Sequence, residues 1–501
     1  MARRNTAAWA RFPRPMPTSP LRPAVALPTL VLFALLALAS LTGADPPSAA
    51  LARVAAVLDS SEASVLWGVV VADARTGEVL FSRNAERPLM PASNQKVLTV
   101  AVALDRLGAD FRYRTPLLFQ GTEEAAGTGT GGTVLRGTFG IVGAGDPSFG
   151  SLEAGGPDPL DAWAAALRAR GVVRMEGTLV GDDDRFDDNP YAEGWDMDYL
   201  TTQAGRYLGA PIGALSYRDN LVTVRLGPGP TEATVTPEGA LTVRRRDRAT
   251  DRTRGIGTGL RRLPGTGVVE ISGTVGRRDA VLELPVDDPT RFALDAFALA
   301  LARAGIDTSA LKRVDVDDLP ERPDWRGADT LAVHTSPPLA ALLALLGTQS
   351  NNFYAEQVFR TLSDVGTARG SQAVVRGFLA AGGDTTGLSM FDGSGLSRKN
   401  LVTARMLSTT LLRMARRPDV DAFFRALPYP GEAGGTLEYR LEGVPVRAKT
   451  GSLTHARALS GYVRTASGRD LAFAVLANNY TASNARVVGV IDRLVRALAG
   501  M

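Results

Sequence analysis

The sequence of 501 residues contains no cysteine, and it has very little histidine. Without cysteine there are no disulfide frameworks, thiolate nucleophiles, thiolate metal sites or lipidated N-terminal cysteine. His334 and His455 are the two histidines. A metal site built from several histidines is therefore excluded, and any Ser-His-Asp triad must use one of these two residues. The sequence points to neither a metal ion nor a cofactor.

Lysine is also scarce. Of the 56 basic residues, four are lysine, namely Lys96, Lys312, Lys399 and Lys449. Lysine can lose its proton at accessible pH, whereas arginine cannot. Because the chain writes almost every positive charge as arginine, we expect lysine at positions where an amine rather than a guanidinium is needed.

A basic surface for nucleic acid is missing as well, although the formal net charge is +4. Residues 1–44 hold five arginines and no acidic residue, and subtracting these five from 56 leaves 51 basic residues against 52 acidic ones. The basic excess thus belongs to the N-terminal segment, so the charge gives no evidence for a phosphate-binding surface.

Residues 1–44 are predicted to be a signal peptide or a signal anchor. The arginines precede an apolar run from Ala24 to Leu41, and the small residues Thr42, Gly43 and Ala44 follow. This order is typical of a secretory signal, but the run is also close to the length that can cross a bilayer. In either case we expect an exported protein in the periplasm or the extracytoplasmic cell envelope. Membrane contact is expected only through this segment, if it is not cleaved.

The apolar pattern predicts an α/β (α+β) fold with an antiparallel sheet flanked by helices. Residues 65–81 indicate a hairpin, and residues 446–477 indicate a meander of three short strands. Long helical patterns lie between them, and one more helix ends the chain. One sheet built from both chain ends is therefore predicted. Its domain would be discontinuous, with residues 45–114 and 330–501, and residues 115–329 would be an insertion of mainly β character.

Three short motifs occur in order along the chain: Ser93-Asn94-Gln95-Lys96, Ser350-Asn351-Asn352 and Lys449-Thr450-Gly451. The patterns S-x-x-K, S-x-N and K-T-G form the active-site set of penicillin-binding proteins and serine β-lactamases. A single tripeptide is a weak signal. The ordered set, with a helical pattern after the first motif and a strand pattern around the last, is a strong one.

The chemistry of the motifs explains their residue types. Ser93 precedes a helical pattern, so Lys96 lies on the same side one turn later. A serine hydroxyl needs a base beside it, and a buried lysine with a like charge nearby loses its proton readily. Lys449 supplies that like charge and attracts a substrate carboxylate, while Gly451 lets the backbone approach the substrate.

Ser350 and Asn352 are two residues apart and can face one cleft if the loop holds them there. The hydroxyl would relay a proton and the amide would hold a substrate amide. Both residues are therefore candidate site residues.

Other candidates are weaker. Ser309-Ala310-Leu311-Lys312 repeats S-x-x-K, but a strand pattern follows it. Ser82-Arg83-Asn84 repeats S-x-N inside the hairpin. His334 is expected in a structural turn and His455 at a strand end. The acidic run of residues 182–188 lacks the spacing of a calcium loop, which favours a solvated turn.

Further stretches of the sequence, together with the three motifs, match a known family. The chain resembles the D-alanyl-D-alanine carboxypeptidase/endopeptidase family of low-molecular-mass class C penicillin-binding proteins (peptidase family S13). The matching stretches are Gly145-Asp146-Pro147, Gly194-Trp195, the segment from Asp392 to Arg398, and Leu459-Ser460-Gly461-Tyr462. Ser93 and Ser350 are 257 residues apart. The family fills this interval with two nested domains, which agrees with the predicted insertion.

The resemblance implies a role for each motif residue. Ser93 would form an acyl-enzyme with the penultimate D-alanine, and Lys96 would be the base. Ser350, assisted by Lys449, would pass a proton to the leaving group. Asn352 would orient the substrate.

The same resemblance assigns the terminal carboxylate of the substrate to the hydroxyls of Thr450 and Ser452. The backbone N–H groups of Ser93 and Ser452 would form the oxyanion hole. Gly451 belongs to the same substrate-binding strand. The chain has Asn351 where the family often has Asp, and Ser452 where it often has Thr.

The expected partners are peptidoglycan stem peptides, with β-lactam antibiotics as inhibitors that acylate Ser93. Two alternatives stay open. One is a serine β-lactamase or esterase on the same scaffold, and the other is a catalytically silent, exported cell-wall-binding protein. The balance between carboxypeptidase and endopeptidase activity is left open by the sequence, because both activities cleave beside a D-amino acid.

Overall fold

The structure is a computed structural model that describes residues 47–61, 64–127, 131–151, 153–196, 198–201, 209–226, 233–238, 240–246, 259–263, 265–272 and 280–501. The predicted leader, residues 1–44, lies outside the described residues. Within these ranges, every helix is too short or too polar to span a bilayer.

The strands of the described residues are β1 (Leu66–Asp73), β2 (Val79–Arg83), β3 (Arg114–Ala125), β4 (Thr133–Val142), β5 (Val172–Asp182), β6 (Leu221–Leu226), β7 (Ala233–Thr236), β8 (Thr242–Arg246), β9 (Gly259–Leu263), β10 (Val268–Ser272), β11 (Ala280–Pro285), β12 (Leu311–Asp315), β13 (Asp329–Thr335), β14 (Val446–Leu453), β15 (Ala456–Arg464) and β16 (Asp470–Asn478). The helices are α1 (Pro47–Asp59), α2 (Gln95–Arg106), α3 (Pro159–Ala169), α4 (Asp198–Thr201), α5 (Pro289–Arg303), α6 (Leu339–Thr348), α7 (Asn352–Thr361), α8 (Ala368–Ala380), α9 (Ala404–Met414), α10 (Val420–Arg425) and α11 (Asn484–Ala499). Single 3-10 turns are formed by Ala92–Asn94, Arg218–Asn220 and Val316–Asp318.

Both ends of the chain build one antiparallel sheet, in the order β14-β15-β16-β1-β2. The register of β1 against β16 places Leu66 opposite Asn478. Val70 packs into a core with α2 and the helices that follow β13, whereas Val69 and Val71 pack against α1 and α11. The sheet is therefore covered by helices on both faces, which confirms the predicted fold class. Because β14 comes first in the strand order, it is an edge strand.

A second set of strands lies between the two halves of this sheet in the sequence. One five-stranded sheet has the order β12-β5-β4-β3-β13, and two three-stranded sheets have the orders β8-β10-β9 and β11-β6-β7. Strands of all three sheets share one apolar core with α3 and α5. Strand β13 spans the predicted boundary at residue 330 and pairs with β3. The division into residues 45–114, 115–329 and 330–501, and the two nested domains, stay predictions.

Helix α7 joins the two sets of elements. Gln357 Nε2 donates to Gly213 O at 2.9 Å and to Ser216 Oγ at 2.8 Å. Arg360 Nη2, one turn later, donates to Asn189 O at 3.1 Å. These bonds hold one side of α7 against residues that precede β6. Asn352, the first residue of the same helix, contacts the motif residue Lys96.

Candidate active site

Ser93 lies in a tight turn directly before α2. The turn Ala92–Asn94 is a 3-10 helix that leads into α2 at Gln95, so the serine precedes the first helical turn as the sequence predicts. Ala92 has φ 48°, a left-handed conformation that costs a non-glycine residue roughly 1–2 kcal/mol. Strain of this kind is held in place by surrounding contacts and is common at reactive residues.

Lys96 is fully buried and points back toward this turn. Its Nζ lies 3.2 Å from Ser93 Oγ, 2.5 Å from Asn352 Oδ1 and 2.7 Å from Ser394 O. Burial lowers the pKa of Lys96 to about 7, although the negative charges of Asp392 and Glu356 act to raise it. Near neutral pH a large share of Lys96 is therefore the neutral amine, which can accept the proton of a serine hydroxyl.

The second motif sits where the helical pattern breaks. Helix α6 ends at Thr348 and α7 begins at Asn352, and Ser350 between them has φ 61°. Asn351 caps the new helix, because its Oδ1 accepts a hydrogen bond from Tyr354 N at 3.0 Å. The break places the half-buried Ser350 on a short loop and turns Asn352 toward Lys96.

The third motif occupies the edge strand beside the serine turn. Asn94 Nδ2 donates to Lys449 O at 2.9 Å, which ties the start of α2 to β14. Gly451 lies so close to that turn that an added Cβ would sit 2.7 Å from Pro91 O. A glycine is required here by the close approach of two backbones, in addition to the approach of the substrate predicted from sequence. Thr450 is half-buried and Ser452 is exposed on the same strand.

Lys449 is almost completely buried, and its Nζ donates to Thr450 O at 3.0 Å. Burial lowers its pKa well below the usual value, and the positive charge of Lys96 lowers it further. The sequence predicts that the charge of Lys449 lowers the pKa of Lys96. In the structure the lowered pKa of Lys96 comes from burial, and it is Lys449 that responds to its lysine neighbour.

Two buried carboxyl groups beside Lys96 were missed by the sequence argument. Glu356, on α7, accepts hydrogen bonds from Gly393 N at 3.1 Å and Ser394 N at 2.7 Å. Burial, with a contribution from the charge of Asp392, raises the pKa of Glu356 to about 7. The sequence signals for these two residues are indirect. Glu356 follows Asn352 by one helical turn, and Asp392 begins a stretch whose one distinguishing feature is its resemblance to the family.

The weaker candidates lie on other elements. Ser309 precedes β12 and Lys312 lies on it, exposed, so this S-x-x-K is not the start of a helix. His334 is on β13 rather than in a turn, with Nε2 3.3 Å from Asp146 Oδ2. His455 Nδ1 lies 2.7 Å from Tyr480 O, in the turn after β14.

Part of the acidic run does form a cluster. The carboxylates of Asp183, Asp315 and Asp317 come within 4.8 Å of one another. Burial raises the pKa of Asp183 to about 7, and Thr290 Oγ1 donates to it at 2.6 Å. The cluster belongs to the strands between the two halves of the central sheet and contributes no residue to the serine pocket.

Comparisons with known proteins agree with this arrangement. Residues 50–499 match the D-Ala-D-Ala carboxypeptidase 3 (S13) family. A D-alanyl-D-alanine carboxypeptidase of Actinomadura sp. (strain R39) is 33% identical over an alignment of 448 residues, and the match covers 83% of this chain and 78% of that protein. A carboxypeptidase of Mycobacterium tuberculosis is 30% identical over an alignment of 486 residues, and the match covers 94% of this chain and 87% of that protein.

The fold has a solved counterpart. The crystal structure of penicillin-binding protein 4 from Haemophilus influenzae has a TM-score of 0.75 at 23% identity and covers 89% of this chain and 99% of that one. The same protein complexed with a β-lactam gives a TM-score of 0.70 at 22% identity, with 89% and 98% covered. At these identities the likeness establishes the fold alone.

Proposed function

The chain belongs to the D-Ala-D-Ala carboxypeptidase 3 (S13) family, and on that premise we propose that Ser93 and Lys96 are the nucleophile and the base of its reaction. The enzyme is a serine-type D-Ala-D-Ala carboxypeptidase. The observation that carries the assignment is the buried Lys96 Nζ, 3.2 Å from Ser93 Oγ, with a pKa of about 7. A base with a pKa near the working pH combines a useful neutral fraction with sufficient basicity.

In the first half of the reaction, Lys96 takes the proton of Ser93 as Oγ attacks the carbonyl of the penultimate D-alanine. The oxyanion is stabilised by the backbone N–H groups of Ser93 and Ser452. The C–N bond to the terminal D-alanine then breaks. Ser350, assisted by Lys449, passes the proton held by Lys96 to the departing amine. This step returns Lys96 to its neutral form and leaves an ester between Ser93 and the rest of the peptide.

In the second half, water attacks this ester and the C–O bond to Ser93 breaks. Lys96 takes the proton of the attacking water, and Ser93 recovers a proton as the free acid departs. The net reaction is hydrolysis of one peptide bond. No metal or cofactor is required at any step.

Substrate recognition rests on the edge strand. The hydroxyls of Thr450 and Ser452 bind the terminal carboxylate, to which Lys449 lends positive potential. Gly451 keeps this strand close to the Ser93 turn, so the carboxylate and the scissile carbonyl are held within one cleft. Asn352 orients the substrate and, through Oδ1, also fixes Lys96.

The partners follow from this chemistry. The substrates are peptidoglycan stem peptides or cross-links, and β-lactams acylate Ser93 as inhibitors. The enzyme works in the cell envelope, outside the cytoplasm, where these substrates occur. Export depends on residues 1–44, whose order of charges and apolar residues is that of a secretory signal.

Incubation with a labelled penicillin, followed by peptide mapping, tests the proposal. We expect a stable adduct on Ser93 that disappears in Ser93→Ala and persists in the matched control Ser309→Ala, which removes the other S-x-x-K serine. Label on another residue, or an unlabelled wild-type protein, refutes the assignment. Rapid release of a hydrolysed penicillin identifies a β-lactamase instead.

A peptide that ends in D-Ala-D-Ala provides the second assay. Wild-type protein is expected to release the terminal D-alanine, and the same peptide ending in L-Ala is expected to remain intact. A protein that binds penicillin yet leaves the D-Ala-D-Ala peptide uncleaved contradicts the carboxypeptidase assignment.

A further inference from the structure

Asp392 is a completely buried carboxylate in the loop of residues 391–400, which contacts Lys96 and is called the Asp392 loop below. Its Oδ1 accepts hydrogen bonds from Gly395 N at 2.8 Å and Asn400 Nδ2 at 2.6 Å. Its Oδ2 accepts from Ser397 N at 2.6 Å and Trp195 Nε1 at 2.9 Å. Four donors around one carboxyl group suit its charged form, so a negative charge is held beside the active site.

Three of these donors are local, and the fourth is remote. Trp195 precedes Asp392 by 197 residues and belongs to the part of the chain that separates the first motif from the second. Its neighbours also bond to the same loop, because Ser397 Oγ donates to Glu193 O at 2.6 Å and Arg398 Nε donates to Asp196 Oδ2 at 3.0 Å. The segment Glu193–Asp196 is thus docked on the Asp392 loop at several points.

The Asp392 loop in turn contacts the catalytic groups. Lys96 Nζ donates to Ser394 O at 2.7 Å, and Thr99 Oγ1, also on α2, donates to Gly393 O at 2.7 Å. Glu356 accepts hydrogen bonds from the N–H groups of the same two residues, Gly393 and Ser394. The loop is therefore clamped between α2 and α7, and its position determines where Lys96 points.

We propose that Asp392 and Glu356 are positioning residues for Lys96, and that Trp195 holds this pair in its working arrangement from the inserted segment. The proposal rests on the assignment of Lys96 as the base. It gives the inserted region a direct part in catalysis, because the indole N–H reaches the carboxylate whose loop orients the lysine.

The charged groups around Lys96 fix the direction of the pH effect. Asp392 and Glu356 raise its pKa against the lowering effect of burial, and the amine of Lys449, whose own pKa is lowered, is the neighbouring basic group. Removal of the Asp392 charge therefore favours the neutral amine, so the acidic limb of the acylation profile moves to lower pH. Loss of the Trp195 donor leaves that charge in place and acts through the position of the loop, so its effect is expected on the rate of acylation.

The test is the rate of Ser93 acylation by a labelled penicillin as a function of pH. Asp392→Asn is expected to slow acylation at its optimum by about 10²-fold, because a misplaced base is costly. Trp195→Phe keeps an aromatic ring without the N–H donor, and it is expected to slow acylation about tenfold, as for the loss of one bond to a charged group. Asp392→Asn is also expected to move the acidic limb to lower pH.

Glu193→Gln is the matched control, because Glu193 lies in the same segment and pairs with the exposed Lys399. Its rate and pH profile are expected to match those of the wild type. If Asp392→Asn does not fold, Trp195→Phe decides alone. A wild-type rate in Trp195→Phe overturns the proposal, and so does a folded Asp392→Asn variant whose acylation is slower but whose acidic limb has not moved. Either result leaves the labelling of wild-type Ser93, and hence the proposed function, intact.

Discussion

At the scale of the residue, burial determines which charges the site carries. Lys96 is inaccessible to solvent, and the desolvation of its ammonium lowers its pKa to about 7. The scarcity of lysine in the sequence is understandable in this light, because an arginine at the same position would stay charged and could not act as a base.

The first prediction concerns the charge of Lys96. Because protonated Lys96 cannot accept a proton, acylation of Ser93 is expected to increase as pH rises through about 7, the pKa of this lysine. Lys96→Arg keeps the positive charge and removes the base, so its acylation rate is expected to fall by at least about 10²-fold. The measurement is the pH dependence of penicillin labelling. A rate that falls between pH 6 and 8, or an active Lys96→Arg variant, contradicts the expectation.

The second prediction concerns Gly451. In Gly451→Ala the new methyl group would sit 2.7 Å from Pro91 O and 3.1 Å from Asn94 Nδ2, so the Ser93 turn and β14 are expected to separate. Acylation should fall about 10²-fold, the loss expected for a misplacement of about 1 Å, together with a lower melting temperature.

Gly489→Ala is the control for Gly451→Ala, because this glycine lies within α11 and its added Cβ would meet nothing closer than 3.6 Å. Alanine is favoured over glycine within helices by about 1 kcal/mol. A higher melting temperature and unchanged acylation are therefore expected. Equal losses in the two variants would contradict the steric argument.

At the scale of the element, the break between α6 and α7 organises the site. Sequence periodicity predicts helical structure on both sides of Ser350, and the break itself comes from the left-handed Ser350 and the cap by Asn351. The motif residues are predictable because their spacing follows local chemistry. Glu356 and Asp392 are not, because they meet only when α7 and a distant loop pack together, and no local pattern encodes that contact.

The third prediction concerns the tie between α2 and β14. Asn94→Ala removes the donor to Lys449 O and leaves that buried carbonyl without it. The cost to the free energy of unfolding is expected to be about 1–3 kcal/mol, with a marked loss of acylation. Urea unfolding and penicillin labelling measure the two effects.

Thr403→Ala separates stability from site geometry. Thr403 caps α9, where its Oγ1 accepts from Met406 N at 3.1 Å, and its loss is expected to cost about 1 kcal/mol. Acylation by this variant should stay at the wild-type rate. If Asn94→Ala labels as fast as Thr403→Ala does, the tie does not position the serine turn.

At the scale of the whole molecule, the sequence predicts that both chain ends share one sheet, and the structure agrees. The short apolar runs that become β1 and β14–β16 carry that prediction. The contacts of the intervening residues with α7 are not predicted, because Arg360 and Gln357 look like ordinary polar positions of a helix until residues 189 and 213–216 are packed against them.

The fourth prediction concerns this packing. Arg360 is 1% exposed and forms an ion pair with Asp187 as well as the bond to Asn189 O. Arg360→Met is expected to lower the free energy of unfolding by about 1–3 kcal/mol, because buried polar partners are lost. The control is Arg326→Met. The side chain of Arg326 is 91% exposed and pairs with Asp324. We expect a change of no more than about 0.5 kcal/mol for this surface substitution. Equal urea midpoints for the two variants would contradict the prediction.

The pairing of Leu66 with Asn478 has a consequence for biosynthesis. Strand β1 is made early, but its partner β16 emerges from the ribosome about four hundred residues later, and contacts so distant in sequence form slowly. All three motifs have been translated by residue 451, yet the sheet beneath them is still incomplete. A polypeptide that ends at Leu453 would keep every proposed catalytic group but lack the strands β15 and β16 that align them. Hydrolytic competence is therefore acquired only after β16 has been made.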